Sequence, residues 1–175
     1  MTNTISLIGM PGAGKSVVGS ELAAHLGWEF LDTDRQIETA AGTSLQQLLD
    51  ESGYLALRSV EEKHILSLAP TSAVIATGGS VVYSELAMEH LRRISTVVFL
   101  DIDLPTVMMR INNFGQRGIA SAANQTLAMI YAERLPLYRK FAAITVPNSS
   151  GTARHAVTEI IQQLTLNGHA PNAAG

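Results

Sequence analysis

An α/β fold with a five-stranded parallel sheet, helices on both faces and a short lid is predicted by two observations. Short apolar runs alternate with longer amphipathic segments, the pattern of a sheet covered on both sides. The first apolar run also leads straight into a glycine-rich loop and then a helical periodicity. The first strand is Ile5 to Ile8, followed by a helix from about Lys15 to His25 with Val17, Val18 and Leu22 on one face. Gly27 closes that helix, and Trp28 to Leu31 form a second strand that ends at Asp32-Thr33-Asp34. Residues 35 to 69 read as helices broken near Gly42 and again at Ser52-Gly53, with Ser44 capping the middle piece. Strands at Val74 to Ala76 and Thr96 to Leu100 flank a helix from about Ser84 to Arg93. A helix after Pro105 reaches about Asn112. The polar, glycine-containing residues 113 to 124 are expected to form a mobile lid. A helix from Gln125 to Phe141 contains Pro136, which removes one ladder hydrogen bond and is expected to bend the axis. A fifth strand at Ala143 to Val146 and a helix from about Thr152 to Leu164 complete a single domain, residues 1–166, with 167–175 expected to be a disordered tail.

Composition narrows the function. The 175 residues suit one domain, which at this length buries roughly 70% of its unfolded surface without staples. There are no cysteines, which removes disulfide frameworks, zinc ribbons and thiol nucleophiles. The net charge of −3 supplies no basic field for nucleic acid, and no apolar run approaches the roughly 18 residues of a membrane span. The N-terminus reads as a strand rather than a signal peptide, so a cytoplasmic protein is expected. With no coiled-coil seam or long apolar stripe, the expected state is a monomer.

The segment Gly9-Met10-Pro11-Gly12-Ala13-Gly14-Lys15-Ser16 satisfies GxxxxGK[ST] between a strand and a helix. Gly9, Gly12 and Gly14 let the backbone turn its N–H groups toward phosphate, and Ala13 and Val17 complete the cradle around the helix start. Lys15 is expected to reach the β and γ phosphates of ATP, and Ser16 to offer its hydroxyl to Mg2+. The fold class is therefore the three-layer P-loop NTPase fold. No Asn-Lys-x-Asp segment for reading guanine is present.

The remaining strand ends suggest the second half of a site. Asp32 is placed to hold the metal through water and Asp34 to face a substrate, although both also suit turn-forming aspartates at a helix start. Thr77-Gly78-Gly79 follows the third strand at the sheet edge where open α/β sheets take ligands. Arg58 and Arg134 sit in helices beside Leu57 and Leu135, as substrate ligands or as ordinary surface arginines. Arg117 lies in the glycine-containing loop, as solvent-facing charge or as a cation that closes over ATP.

Taken together, Gly-Lys-Ser, Asp-Thr-Asp after the second strand, Arg58 with Glu61 three on, Ala-Thr-Gly-Gly after the third strand and Glu-Arg-Leu-Pro-Leu-Tyr resemble the shikimate kinase family from about Ile5 to Leu164. The resemblance implies an ATP- and Mg2+-dependent kinase that phosphorylates the 3-hydroxyl of shikimate. It implies that Asp34 contacts ring hydroxyls, Arg58 and Arg134 grip the carboxylate, and Gly78 and Gly79 lie against the ring. Lys15, Asp34 and Arg117 would be catalytic, with Arg110 near the adenine. Two features depart from the family pattern: Gly78-Gly79-Ser80 replaces three glycines, and the lid reads Arg117-Gly118-Ile119-Ala120. They leave open a related kinase for another hydroxy acid or polyol, and a nucleotide-binding regulator without turnover.

Overall fold

A computed structural model describes residues 3–111, 119–122 and 124–168. Among them five strands form one parallel sheet in the order β2-β3-β1-β4-β5. The strands are β1 (Asn3–Ile8), β2 (Glu29–Asp32), β3 (Ser72–Ala76), β4 (Thr96–Asp101) and β5 (Ile144–Pro147). The helices are α1 (Lys15–Leu26), α2 (Thr33–Ala41), α3 (Leu45–Ser67), α4 (Glu85–Ile94), α5 (Leu104–Arg110), α6 (Leu127–Phe141) and α7 (Ala153–Leu166).

The two covering layers follow from strand alternation. Leu7 pairs in register with Val98, and Ile8 with Phe99, so Leu7 and Phe99 point to opposite faces. Gly19 of α1 lies against Leu7 and Phe30, while Tyr138 of α6 stacks on Phe99 with ring centroids 5.1 Å apart. Helices α1 and α6 therefore cover opposite faces. Central strands covered on both sides must be apolar along their length, and Val97, Val98, Phe99 and Leu100 are all buried.

Local signals explain most boundaries. Gly27 and Gly42 end α1 and α2 in left-handed conformations, as C-cap glycines do. Ser44 and Gln47 form a reciprocal capping box that starts α3. The expected break at Ser52-Gly53 is present: Gly53 (φ 79°, ψ 167°) leaves the helical region and kinks the chain between two helical halves of α3. Helix α5 stops at Arg110, short of the expected Asn112, and Asn112 lies outside the described residues. Helix α6 begins at Leu127 rather than Gln125, because the Thr126 hydroxyl accepts from Met129 N–H and caps it, and the helix runs on through Pro136. A 3-10 turn at Val81–Tyr83 was not foreseen. The lid reading falls largely outside the described residues; within it Ile119 and Ala120 are buried. The tail reading also lies outside them from residue 169 onward. No helix among the described residues is long and apolar enough to cross a membrane.

Gly19 has no room for a side chain: an added Cβ would lie 2.7 Å from Phe30 Cε2 and 3.2 Å from Leu7 Cδ1. G19V should overpack the α1–sheet contact at a cost of about 1–3 kcal/mol. Thermal unfolding should show Tm lowered by about 3–10 °C; an unchanged Tm would contradict this packing.

Candidate active site

The glycine-rich loop leaves the C-terminal end of β1, the central strand, and turns into α1. Gly9 (φ 149°) passes so close to β4 that a Cβ would sit 2.7 Å from the Leu100 carbonyl oxygen. Gly12 (φ 81°) and Gly14 (φ 88°) occupy backbone conformations that side chains disfavour. Gly14 is also the N-cap of α1, so the positive end of that helix opens onto the loop. The Lys15 ammonium folds back and donates to the carbonyls of Gly9 (2.8 Å) and Met10 (2.9 Å). Burial lowers its pKa to about 8, against the pull of Asp34. The loop is braced from behind: Asn148 Nδ2 donates to the Ala13 carbonyl at 2.8 Å. Arg110 donates to the carbonyls of Gly12 (3.1 Å), Asn148 (3.2 Å) and Ser149 (3.1 Å). Val17 is exposed beside the loop.

Asp32 closes β2 and caps α2, accepting from Arg35 N–H at 3.2 Å through Oδ1. Its other oxygen accepts from the Ser16 hydroxyl at 2.7 Å. The helix-start reading of Asp32 is thus met, and its second oxygen is tied to the phosphate loop. A serine hydroxyl and a carboxylate meeting at a helix N-terminus are hard oxygen donors that fit a magnesium ion shared with phosphate. Among the described residues no cluster of three or more His, Cys, Asp or Glu forms a self-sufficient metal cage.

The loop opens onto a cavity of about 470 Å³ that Gly12, Lys15 and Ser16 line together with Asp34, Glu61 and Arg134. Arg134 is buried at 1% exposure, which overturns the surface alternative for it. Its NH2 nitrogen donates to the Ala120 carbonyl at 2.9 Å, and Arg58 NH2 donates to the same oxygen at 3.1 Å. Tyr83 lies beneath both cations: its ring centroid is 3.7 Å from the guanidinium carbon of Arg58 and 5.2 Å from that of Arg134. The Oδ1 of Asp34 is buried without a hydrogen-bond partner among the described residues, as is Nε of Arg58. Burial raises Asp34 to about 6 even though Lys15 opposes the shift.

The chain after β3 packs against groups from several sides of the cavity. A Cβ on Gly78 would meet Glu61 Oε1 at 2.5 Å and Asp34 Oδ1 at 2.8 Å, and one on Gly79 would meet Pro11 Cδ at 2.9 Å and an Arg134 nitrogen at 3.0 Å. Tyr138 donates its hydroxyl to the Gly79 carbonyl at 2.6 Å. Ser80 donates to Glu61 Oε2. Burial pushes Glu61 up to about 7, with the Ser80 hydrogen bond opposing.

The structure thus brings together Gly9, Gly12, Ala13, Gly14, Lys15, Ser16 and Asp32 on one side and Asp34, Arg58, Gly78, Gly79 and Arg134 on the other. Arg117 lies outside the described residues. Arg110 reaches the loop's own backbone, a bracing task that the sequence did not reveal. Sequence reasoning gave no role to Tyr83, Tyr138, Asn148, Ser80 or Ala120. It noted Glu61 only for standing three residues after Arg58, a spacing that puts both on one helix face. Tyr138 had an available signal, four residues after Arg134 on α6. Asn148 and Ala120 had none, because their work depends on main-chain positions brought from far along the chain.

A P-loop at the end of the central strand, a lysine within it and a polar cavity beside it define a P-loop phosphotransferase. The sequence profile described as shikimate kinase matches residues 11–165. The shikimate kinase of Paracidovorax citrulli is 36% identical over 174 residues, covering 96% of this chain and 95% of the relative. That of Blochmanniella floridana is 34% identical over 173 residues, covering 94% of each. A solved structure of shikimate kinase from Acinetobacter baumannii in complex with shikimate superposes with a TM-score of 0.88 at 31% identity, covering 95% of both chains. The chain belongs to the shikimate kinase family.

Removing the Asn148 brace tests the loop's construction. N148A leaves the Ala13 carbonyl without its partner, and urea unfolding should show a loss of about 1–3 kcal/mol. KM for ATP should rise with it, because the loop is no longer held open; an unchanged stability and KM would show that the brace is dispensable.

Proposed function

We propose that this protein transfers the γ-phosphoryl group of ATP to the 3-hydroxyl of shikimate, giving shikimate 3-phosphate and ADP. The observation that carries the reading is the convergence of Arg58 and Arg134 on a single buried oxygen, beside an Asp34 oxygen that has no partner among the described residues. Two guanidiniums aimed at one point suit a carboxylate, whose two oxygens they can grip in fork geometry. A buried carboxylate oxygen turned to the cavity suits a hydroxyl donor, which satisfies its hydrogen-bonding capacity. An acceptor that bears both a carboxylate and ring hydroxyls satisfies the two together, and shikimate is what the Acinetobacter relative is described as binding.

In this reading the acceptor hydroxyl oxygen forms a bond to the γ-phosphorus while the bond from that phosphorus to the β–γ bridging oxygen breaks, and the hydroxyl proton passes to Asp34. With its pKa raised only to about 6, Asp34 is still mostly ionised near neutral pH and free to accept it. Lys15 leaves the carbonyls of Gly9 and Met10 for the phosphates, and the loop N–H groups hold the β-phosphate. Ser16 and Asp32 are assigned to a magnesium ion, which when bound supplies charge neutralisation on the phosphates. Arg58 and Arg134 orient the acceptor, with Gly78 and Gly79 against its ring. The family pattern assigns Arg110 to the adenine side, and its bond to the Gly12 carbonyl braces the loop. The family pattern assigns Arg117 to the transferred phosphoryl group. Most of the acceleration then comes from positioning and charge stabilisation rather than covalent chemistry.

Steady-state kinetics with ATP, Mg2+ and shikimate test the proposal. R134A should raise KM for shikimate on the order of 10²-fold while KM for ATP changes little, because a charge-assisted pair to the carboxylate is lost. R58K should also weaken acceptor binding, since lysine cannot reproduce the fork. Turnover with another hydroxy acid or a polyol, and none with shikimate, would overturn the acceptor assignment.

A further inference from the structure

The acceptor side already contains an anion. Glu61 projects from α3 into the cavity that the acceptor must enter, is only 7% exposed, and takes a hydrogen bond from the Ser80 hydroxyl. Its Oε1 and Asp34 Oδ1 crowd the same α-carbon, that of Gly78, from two different helices. The charged and titratable groups that face Glu61 are Arg58 on its own helix, Asp34 from α2, Lys15 at the start of α1, and Arg134 and Tyr138 from α6. Asp34 and Glu61 already face Lys15, Arg58 and Arg134, with Asp32 acting on Lys15 and Glu133 on the two arginines. An acceptor carboxylate placed on the two arginines adds an uncompensated negative charge to a poorly hydrated space.

Such a site relieves the excess charge by protonating the carboxylate for which protonation is easiest. We propose that Glu61 takes up a proton when a carboxylate-bearing acceptor binds, and that Ser80 sets the pH at which it does so. The inference rests on the acceptor reading given above. Glu61 already titrates near neutrality because burial raises it to about 7, so a further like charge carries it through the physiological range. Ser80 acts in the opposite sense. Its donated hydrogen bond favours the anion, so it lowers the fraction of Glu61 that is protonated before the acceptor arrives. Linkage requires the reciprocal effect: acceptor affinity rises as pH falls through the Glu61 titration. Ser80 is a positioning residue in this account, acting on the acceptor only through Glu61.

Two measurements on the full chain test this. In acceptor-free protein carrying carboxyl-13C glutamate, S80A should raise the Glu61 titration midpoint by about half a unit or more. Titration calorimetry of shikimate binding without ATP, near pH 7.5 in two buffers of different ionisation enthalpy, should show wild type taking up about half a proton. E61Q should abolish the uptake, and S80A should move its maximum to higher pH. A Glu61 midpoint indifferent to S80A removes Ser80's role. Shikimate binding without proton uptake, or with uptake undiminished in E61Q, overturns the inference and leaves the acceptor reading intact. No binding of shikimate at all overturns the acceptor reading and the proton linkage with it, while the midpoint comparison still decides whether Ser80 favours the Glu61 anion.

Discussion

A guanidinium removed from water must be partnered, and the burial of Arg134 organises the acceptor half of this protein. Helix α6 delivers Arg134 and, one turn later, Tyr138 to the same side. Tyr138 stacks on Phe99 of the sheet and donates to the Gly79 carbonyl, so the contact that seats the helix also fixes the backbone beside the cavity. Arg134 then meets Tyr83, which reaches Arg58 in turn. The arrangement joins a core stacking contact, a loop carbonyl and two cations. A change in any one of them is felt by the others.

The phosphate loop and the side chains of Asp34, Glu61 and Arg134 line one cavity. The backbone after β3 packs against both sets: Pro11 of the phosphate loop lies against Gly79, and Asp34 and Glu61 lie against Gly78. A side chain at either glycine would collide with these groups. Ser80, where the family pattern has a third glycine, also lines the cavity and donates its hydroxyl to the buried Glu61 carboxylate.

The donor half was largely legible in the sequence because its chemistry lies within eight consecutive residues, where glycine spacing, lysine and serine state the geometry directly. The parallel sheet was legible from the alternation of short apolar runs with amphipathic segments, and element ends were displaced by only a few residues. The acceptor half was less so. Asp34, Arg58 and Arg134 each had a bland alternative, and only their meeting across three helices separates function from surface charge. The Asn148 brace and the Ala120 carbonyl could not be read, because a main-chain acceptor carries no residue-type signature. Gly53, by contrast, was legible: the glycine marks the break, and its φ of 79° and ψ of 167° interrupt the helix there.

In the acceptor-free protein the Ala120 carbonyl occupies the point where Arg58 and Arg134 converge. If that point receives the acceptor's carboxylate, the carbonyl must give way to it. A crystal structure of this protein with shikimate and a non-hydrolysable ATP analogue tests the claim most directly. The account predicts the shikimate carboxylate on Arg58 and Arg134 in place of the Ala120 oxygen, with a ring hydroxyl on Asp34. Shikimate bound elsewhere, with both arginines still donating to Ala120, would contradict it.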